Sequence, residues 1–307
     1  MARMPFEPPQ RLVRALTEAR LGGADGAGDW LDKLPDLVQE AVALRELTVE
    51  RVQAPGGRSS LVLLVRQFDG TPAVLKLAPH RARPESERAA LGHWDGRGAV
   101  RLLNPGDTPG VLLLERLHPD LSVRSLPEAK ALLEATGVLR RLWVEPPDGD
   151  GRLFETVAER TGRQAEAMRA DAADEDVAPL VAAALAARDE LLASPPEELL
   201  LHGTFRQSKV LAGERMPWLA VGPDPVVGEC AFDLARLVRD RVEDVIASPS
   251  GAATTRRRVK RLAESLDVDQ ERLRGWALFR SVESGLRARR VGRPRDAELL
   301  LEFAGWL

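Results

Sequence analysis

The sequence predicts an α+β protein of two lobes, a small one built on a five-stranded antiparallel sheet and a larger, mostly helical one. Two observations carry this. From Leu47 to Glu115, short Val- and Leu-rich runs alternate with Gly- and Pro-bearing turns, the pattern of strands. Beyond Arg116 most apolar residues recur at helical spacing. The expected division is 1–115 for the N-terminal lobe and 116–307 for the C-terminal lobe.

In chain order, Gln10–Arg20 carries Leu12, Val13, Leu16 and Ala19 on one helical face, and a Gly-rich break follows at 22–28. A second stripe, Trp30, Leu31, Leu34, Leu37, Val38 and Val42, predicts another helix that packs into the core. Thr48–Gln53, Leu61–Gln67 and Ala73–Leu77 read as a three-strand meander. Its second turn, Asp69-Gly70-Thr71-Pro72, is a strong signal because Asp and Gly tolerate positive φ and Pro fixes the next entry. Glu85–Trp94 reads as a short helix, and Val100–Leu103 and Val111–Glu115 complete the five strands. Ser125 and Glu128 have capping-box spacing with Pro127 in the first turn, which predicts a helix to about Trp143. Helices are further expected over about 152–170, 175–193, 230–247, 253–266, 270–289 and 297–306. Pro146–Gly151, the acidic loop Asp171–Asp176 and Pro195-Pro196 punctuate them.

Composition narrows the class. Hydrophobic residues make up 44% and charged residues 30% of the 307, as in ordinary globular proteins. The net charge of −3 argues against a broad nucleic-acid-binding face. The single cysteine, Cys230, has no intramolecular partner and fits a reducing compartment. No apolar run has the length of a membrane span, and the N-terminal residues lack a signal-peptide pattern, so the expected location is the cytoplasm. Basic residues are mostly Arg. That bias lowers what any single Arg implies and raises the weight of Lys76 and Lys209.

The most informative stretch is Leu199–Asp233. Apolar runs at Leu199–Leu201, Val210-Leu211 and Trp218–Val221 flank polar loops, an arrangement that displays side chains at loop tips. It contains His202-Gly203-Thr204-Phe205-Arg206-Gln207-Ser208-Lys209, then Val221-Gly222-Pro223, then Asp233-Leu234. This frame resembles the catalytic segment of the aminoglycoside phosphotransferase family, within its streptomycin 6-kinase and hydroxyurea-resistance kinase branch. Val74-Leu75-Lys76, then Glu87, and the runs Gly98–Leu103 and Leu112–Leu117 extend the resemblance over nearly the whole chain.

The resemblance implies a bilobal protein-kinase-like fold and a nucleotide cofactor, ATP or ADP. It assigns Lys76, paired with Glu87, to the nucleotide phosphates, with Glu85 as the rival partner. Gly56 and Gly57 would lie in the phosphate-covering turn, and Glu115 and Leu117 at the adenine-side hinge. It also shows where the chemistry departs. Thr204 stands at the position of the catalytic Asp, Arg206 at the second His, Lys209 at the metal-binding Asn and Gly222 at the metal-binding Asp.

Phosphoryl transfer to a hydroxyl needs a carboxylate to accept the proton and oxygen ligands to hold Mg²⁺. A threonine is no base at neutral pH, a lysine no metal ligand, and glycine has no side chain. A general base alone is worth roughly 10² to 10⁴ in rate, about 3 to 5.5 kcal/mol. The expectation is therefore a pseudokinase: no catalytic residues, no Mg²⁺, and nucleotide held by Lys76 and Lys209. Two rivals stay open. One is an active small-molecule O-phosphotransferase with displaced residues, Asp224 being the candidate metal ligand because a shift of two along a strand keeps its facing. The other is a carrier or sequestering protein for a small molecule of anionic character, prompted by the basic run Arg287–Arg295. Partners are then a nucleotide, an unidentified small molecule or a protein, with neither nucleic acid nor membrane.

Overall fold

A computed structural model describes residues 7–21, 27–104, 108–148, 153–171 and 174–307. The expected break at 22–28 and the loops at 146–151 and 171–176 fall partly outside them. The chain forms two compact units, the first comprising Met1–His118 with Gly213–Arg215 and the second Pro119–Ala212 with Met216–Leu307.

The first unit opens with helices α1 (Gln10–Leu21) and α2 (Ala27–Leu44). Strands β1 (Thr48–Val52), β2 (Leu61–Arg66) and β3 (Pro72–Leu77) follow, then α3 (Pro84–Trp94), β4 (Leu102–Asn104) and β5 (Val111–Glu115). The five strands form one antiparallel sheet in the order β1-β2-β3-β5-β4. This is the expected sheet, with α3 between its third and fourth strands. Its alternating apolar residues Leu61, Leu63, Val65, Ala73, Leu75 and Leu77 bury against Leu12, Leu16, Leu34, Val38 and Ala41 of the two helices. Leu12 and Leu16 of the first helical stripe and the whole of the second thus pack on the core, whereas Val13 is exposed.

The second unit begins with the strand β6 (His118–Ser122), which starts at the boundary, and continues with α4 (Glu128–Leu142), β7 (Glu155–Thr156), α5 (Val157–Asp171) and α6 (Ala178–Ala193). Next come β8 (Leu199–Leu201), β9 (Val210–Ala212), β10 (Trp218–Ala220) and β11 (Val226–Gly228). The chain ends in α7 (Cys230–Val238), α8 (Val242–Ile246), α9 (Gly251–Leu266), α10 (Gln270–Arg290) and α11 (Pro294–Ala304). Two small sheets, ordered β10-β9-β6 and β7-β11-β8, carry the segment 199–228. Helix α10 is the hub, packing on α5, α6, α7, α9 and α11. It is anchored by Glu229, whose carboxylate accepts from Arg272 at 2.6 and 2.7 Å and from buried Trp276 Nε1 at 2.6 Å.

Two local expectations are corrected. Ser125 and Glu128 form no capping box: α4 begins at Glu128 behind Pro127, and Ser125 Oγ donates to Ser122 O at 2.7 Å. Glu128 instead pairs with Arg258 at 2.5 Å, an interaction across 130 residues that outweighs the local one. The helix expected over 230–247 is broken at Arg241, which adopts the left-handed conformation with φ of 58°. No helix among the described residues is long and apolar enough to cross a membrane.

Candidate functional site

In the first unit, alternation along β3 buries Leu75 and Leu77 and turns Lys76 to the opposite face. There its ammonium makes an ion pair with the Glu87 carboxylate from the first turn of α3; the side chains are only 11% and 3% exposed. The rival, Glu85, is engaged elsewhere: it accepts from Gly110 N at 3.2 Å and lies 3.4 Å from Arg88. Gly56 lies in the β1–β2 turn at φ of 68°, where an added Cβ would sit 2.9 Å from Gln53 O, so the turn itself demands glycine there; Gly57 follows it. Glu115 ends β5 and accepts from Arg215 at 3.0 and 3.2 Å, and Leu117 is buried.

The second unit holds the His202–Lys209 segment in a cage of main-chain bonds. Buried His202 donates its backbone N–H to Asp233 Oδ2 at 2.8 Å. Its ring Nε2 faces Val221 O at 3.2 Å and its Nδ1 faces Thr204 N at 3.4 Å, which together set Nε2–H as the neutral tautomer. Burial first, then the Lys209 ammonium, push its pKa well below the usual histidine value. Arg280 donates to Phe232 O at 2.6 Å and Gly203 O at 2.7 Å, with its guanidinium carbon 4.0 Å from the Phe232 ring centroid. Gly203 has φ of 75°, and an added Cβ would overlap Asp224 O. The segment is therefore rigidly specified.

Within that cage Thr204, Lys209 and Gly222 converge. Lys209 Nζ donates to Thr204 Oγ1 at 2.6 Å and to Gly222 O at 2.6 Å. Val221 N in turn donates to Lys209 O at 2.9 Å, fixing the lysine against the β10–β11 loop. The ammonium thus sits among oxygens, one hydroxyl and one carbonyl, as a small metal cation would. Arg206 lies just before the short turn Gln207–Lys209. Asp224 is engaged by Arg160: its Oδ1 accepts from Arg160 Nη2 at 3.0 Å and its carbonyl from Arg160 Nη1 at 3.0 Å. Among the described residues no group of three or more His, Cys, Asp or Glu could hold a metal ion. With a cation at one position and no side chain at another, this set does not fit Mg²⁺.

Arg160, Arg215 and Arg280 escape a sequence reading. In a chain this rich in Arg nothing singles them out, and their acceptors are largely main-chain carbonyls, which carry no sequence signal.

The fold is that of kinase-like proteins. An aminoglycoside phosphotransferase crystallised with ADP and hygromycin B superposes with a TM-score of 0.59 at 14% identity, covering 87% of this chain and 96% of that one. The ethanolamine kinase of Plasmodium vivax does so with a TM-score of 0.59 at 10% identity, covering 99% and 97%. More specifically, the chain belongs to the aminoglycoside/hydroxyurea antibiotic resistance kinase family, whose model matches residues 45–292. A streptomycin 6-kinase of Streptomyces glaucescens is 35% identical over 277 residues, 89% of this chain and 88% of that protein. A hydroxyurea phosphotransferase of Kitasatospora aureofaciens is 36% identical over 288 residues, 91% and 79% respectively. The family and the fold expected from the sequence are those found.

Proposed function

We propose that this protein is a nucleotide-binding member of its kinase family that does not carry out Mg²⁺-dependent phosphoryl transfer. The observation that carries the reading is the Lys209 ammonium, held at 2.6 Å by both Thr204 Oγ1 and Gly222 O. In the first unit the Lys76–Glu87 pair offers a cation for phosphate that needs no metal. In the second, Lys209 supplies the positive charge that a metal would otherwise bring, and Thr204 supplies no base. Nucleotide binding is further supported by the relatives of this fold crystallised with ADP or AMP-PNP. Asp224 is a poorer candidate ligand because its Oδ1 already pairs with Arg160. A cytoplasmic setting belongs to the same reading; Cys230 is buried, and burial first, then Glu197, push its thiol pKa up, which leaves it inert.

The test is calorimetric titration with ATP and ADP, each with and without Mg²⁺, beside an assay of ATP consumption with streptomycin and hydroxyurea. Binding that is indifferent to Mg²⁺, with no turnover, is expected. Turnover on either compound, or binding seen only with Mg²⁺, would sink the reading.

A further inference from the structure

A second concentration of charge lies in the helical unit, on residues that the nucleotide reading does not use. Helices α7 and α10 pack against each other. Arg236 in the last turn of α7, Arg239 just beyond it and Arg287 in the last turn of α10 lie within electrostatic reach of one another, and Arg206 joins them from the segment that Gln207 N ties to Asp240 at the end of α7. Against these four guanidiniums stand Asp240 and Glu283, and buried Asp233 also faces Arg236, with an Oδ1 that has no hydrogen-bond partner among the described residues.

Asp240 and Glu283 each accept other hydrogen bonds. Asp240 Oδ2 accepts from Gln207 N at 2.7 Å, and Glu283 Oε1 accepts from Arg287 Nε at 2.9 Å. Arg239 spends one arm on Arg280 O at 2.8 Å. Arg236 is the odd one: half-buried, it makes no hydrogen bond or ion pair with another described residue. Burial first, then repulsion from Arg206 and Arg287, lower its pKa to about 10, so it stays charged at neutral pH. Burial first, then Arg236, bring Arg239 to about 9. A half-buried guanidinium with no acceptor and like-charged neighbours is unfavourable unless something anionic completes it.

We propose that Arg236, Arg239, Arg287 and Arg206 form a binding site for the oxyanion group, phosphate or carboxylate, of a small molecule, with Arg236 as its anchor. Planar guanidiniums suit such groups because they can donate two parallel hydrogen bonds. A polycation is the wrong complement for this surface. The inference goes beyond the nucleotide reading and stands on different residues.

Inorganic phosphate and citrate, titrated calorimetrically at constant ionic strength, test it. Saturable binding of at least one is expected, about tenfold to a hundredfold weaker in Arg236→Gln, as for a lost charge-assisted hydrogen bond. Arg236→Lys should recover part of it. Arg287→Gln, a substitution at a half-exposed side chain, provides a second variant should Arg236→Gln fail to fold. Exposed Arg256→Gln should match the parent. Absence of saturable binding, or equal affinity in all variants, would overturn the proposal. Loss of binding in Lys209→Met would place the anion at Lys209 and also overturn it, while leaving the nucleotide reading standing. Conversely, anion binding weakened by Arg236→Gln in a protein that binds no ATP would sustain this site and remove the other.

Discussion

At the scale of single residues, the catalytic segment combines a closely packed main chain with altered side-chain chemistry. Gly203 shows the first property: at φ of 75° any side chain is strained, and its Cβ would meet Asp224 O. Gly203→Ala should therefore cost about 3 kcal/mol or more, read by urea denaturation. His202 gives a pH dependence. Its folded-state pKa is depressed, so as pH falls below the ordinary value of about 6.5 the unfolded chain takes up a proton that the folded chain refuses. The stability it contributes is present above that value and is lost on acidification, at up to about 1.4 kcal/mol per pH unit. Asp233, whose pKa burial raises, acts in the opposite sense at lower pH. The comparison of the parent with His202→Gln isolates the histidine: the variant should show the shallower decline below pH 6.5, and equal slopes would refute this. The replacements at Thr204, Lys209 and Gly222 were legible in the sequence because a kept frame fixes their positions. That Lys209 bends onto the Gly222 carbonyl was not, because every residue type presents the same backbone acceptor.

At the scale of elements, most helices and all five strands of the large sheet were legible because their apolar periodicity is long enough to read. Strands β7 and β11 were not. They have 2 and 3 residues, too short for any alternation, and exist because each finds partners distant in sequence. The failed capping box has a similar cause: Arg258 on α9 claims Glu128 before Ser125 can. Helix α10 depends most on one distant residue. Glu229→Ala would leave the Arg272 guanidinium and the buried Trp276 N–H without their carboxylate. A loss of about 3–5 kcal/mol is expected, the cost of breaking a buried pair from one side. Calorimetric melting tests it; a change below about 1 kcal/mol would show that water or another group compensates.

At the scale of the whole molecule, a net charge of −3 hides a strongly uneven distribution. The average disfavours nucleic acid, yet it says nothing of Arg236 and its neighbours, whose juxtaposition needs two helices and a loop to be brought together. Ligand linkage is also a property of the entire chain. If ADP binds the folded state alone, a free concentration one hundred times its dissociation constant stabilises the protein by about 2.7 kcal/mol. Each kcal/mol should raise the melting temperature by roughly 2–4 °C, as in large domains. The rise should be the same with EDTA as with Mg²⁺. A rise confined to the Mg²⁺ arm would contradict the role given to Lys209.

The seat of Lys209 constrains how the protein could regain the chemistry of its relatives through successive mutations. Thr204→Asp alone would place its new carboxylate beside the ammonium, where an ion pair would tie up the lone pairs that a base needs. Gly222→Asp alone has room, since a Cβ there lies 3.8 Å from Nζ, but it strains a backbone at φ of 60° and would meet a cation before any metal could arrive. Only after Lys209→Asn does either acid become useful. The steps are thus ordered: of the single and double variants, none that retains Lys209 should consume ATP. Activity in Thr204→Asp/Gly222→Asp with Lys209 intact would show that the path back is open in any order.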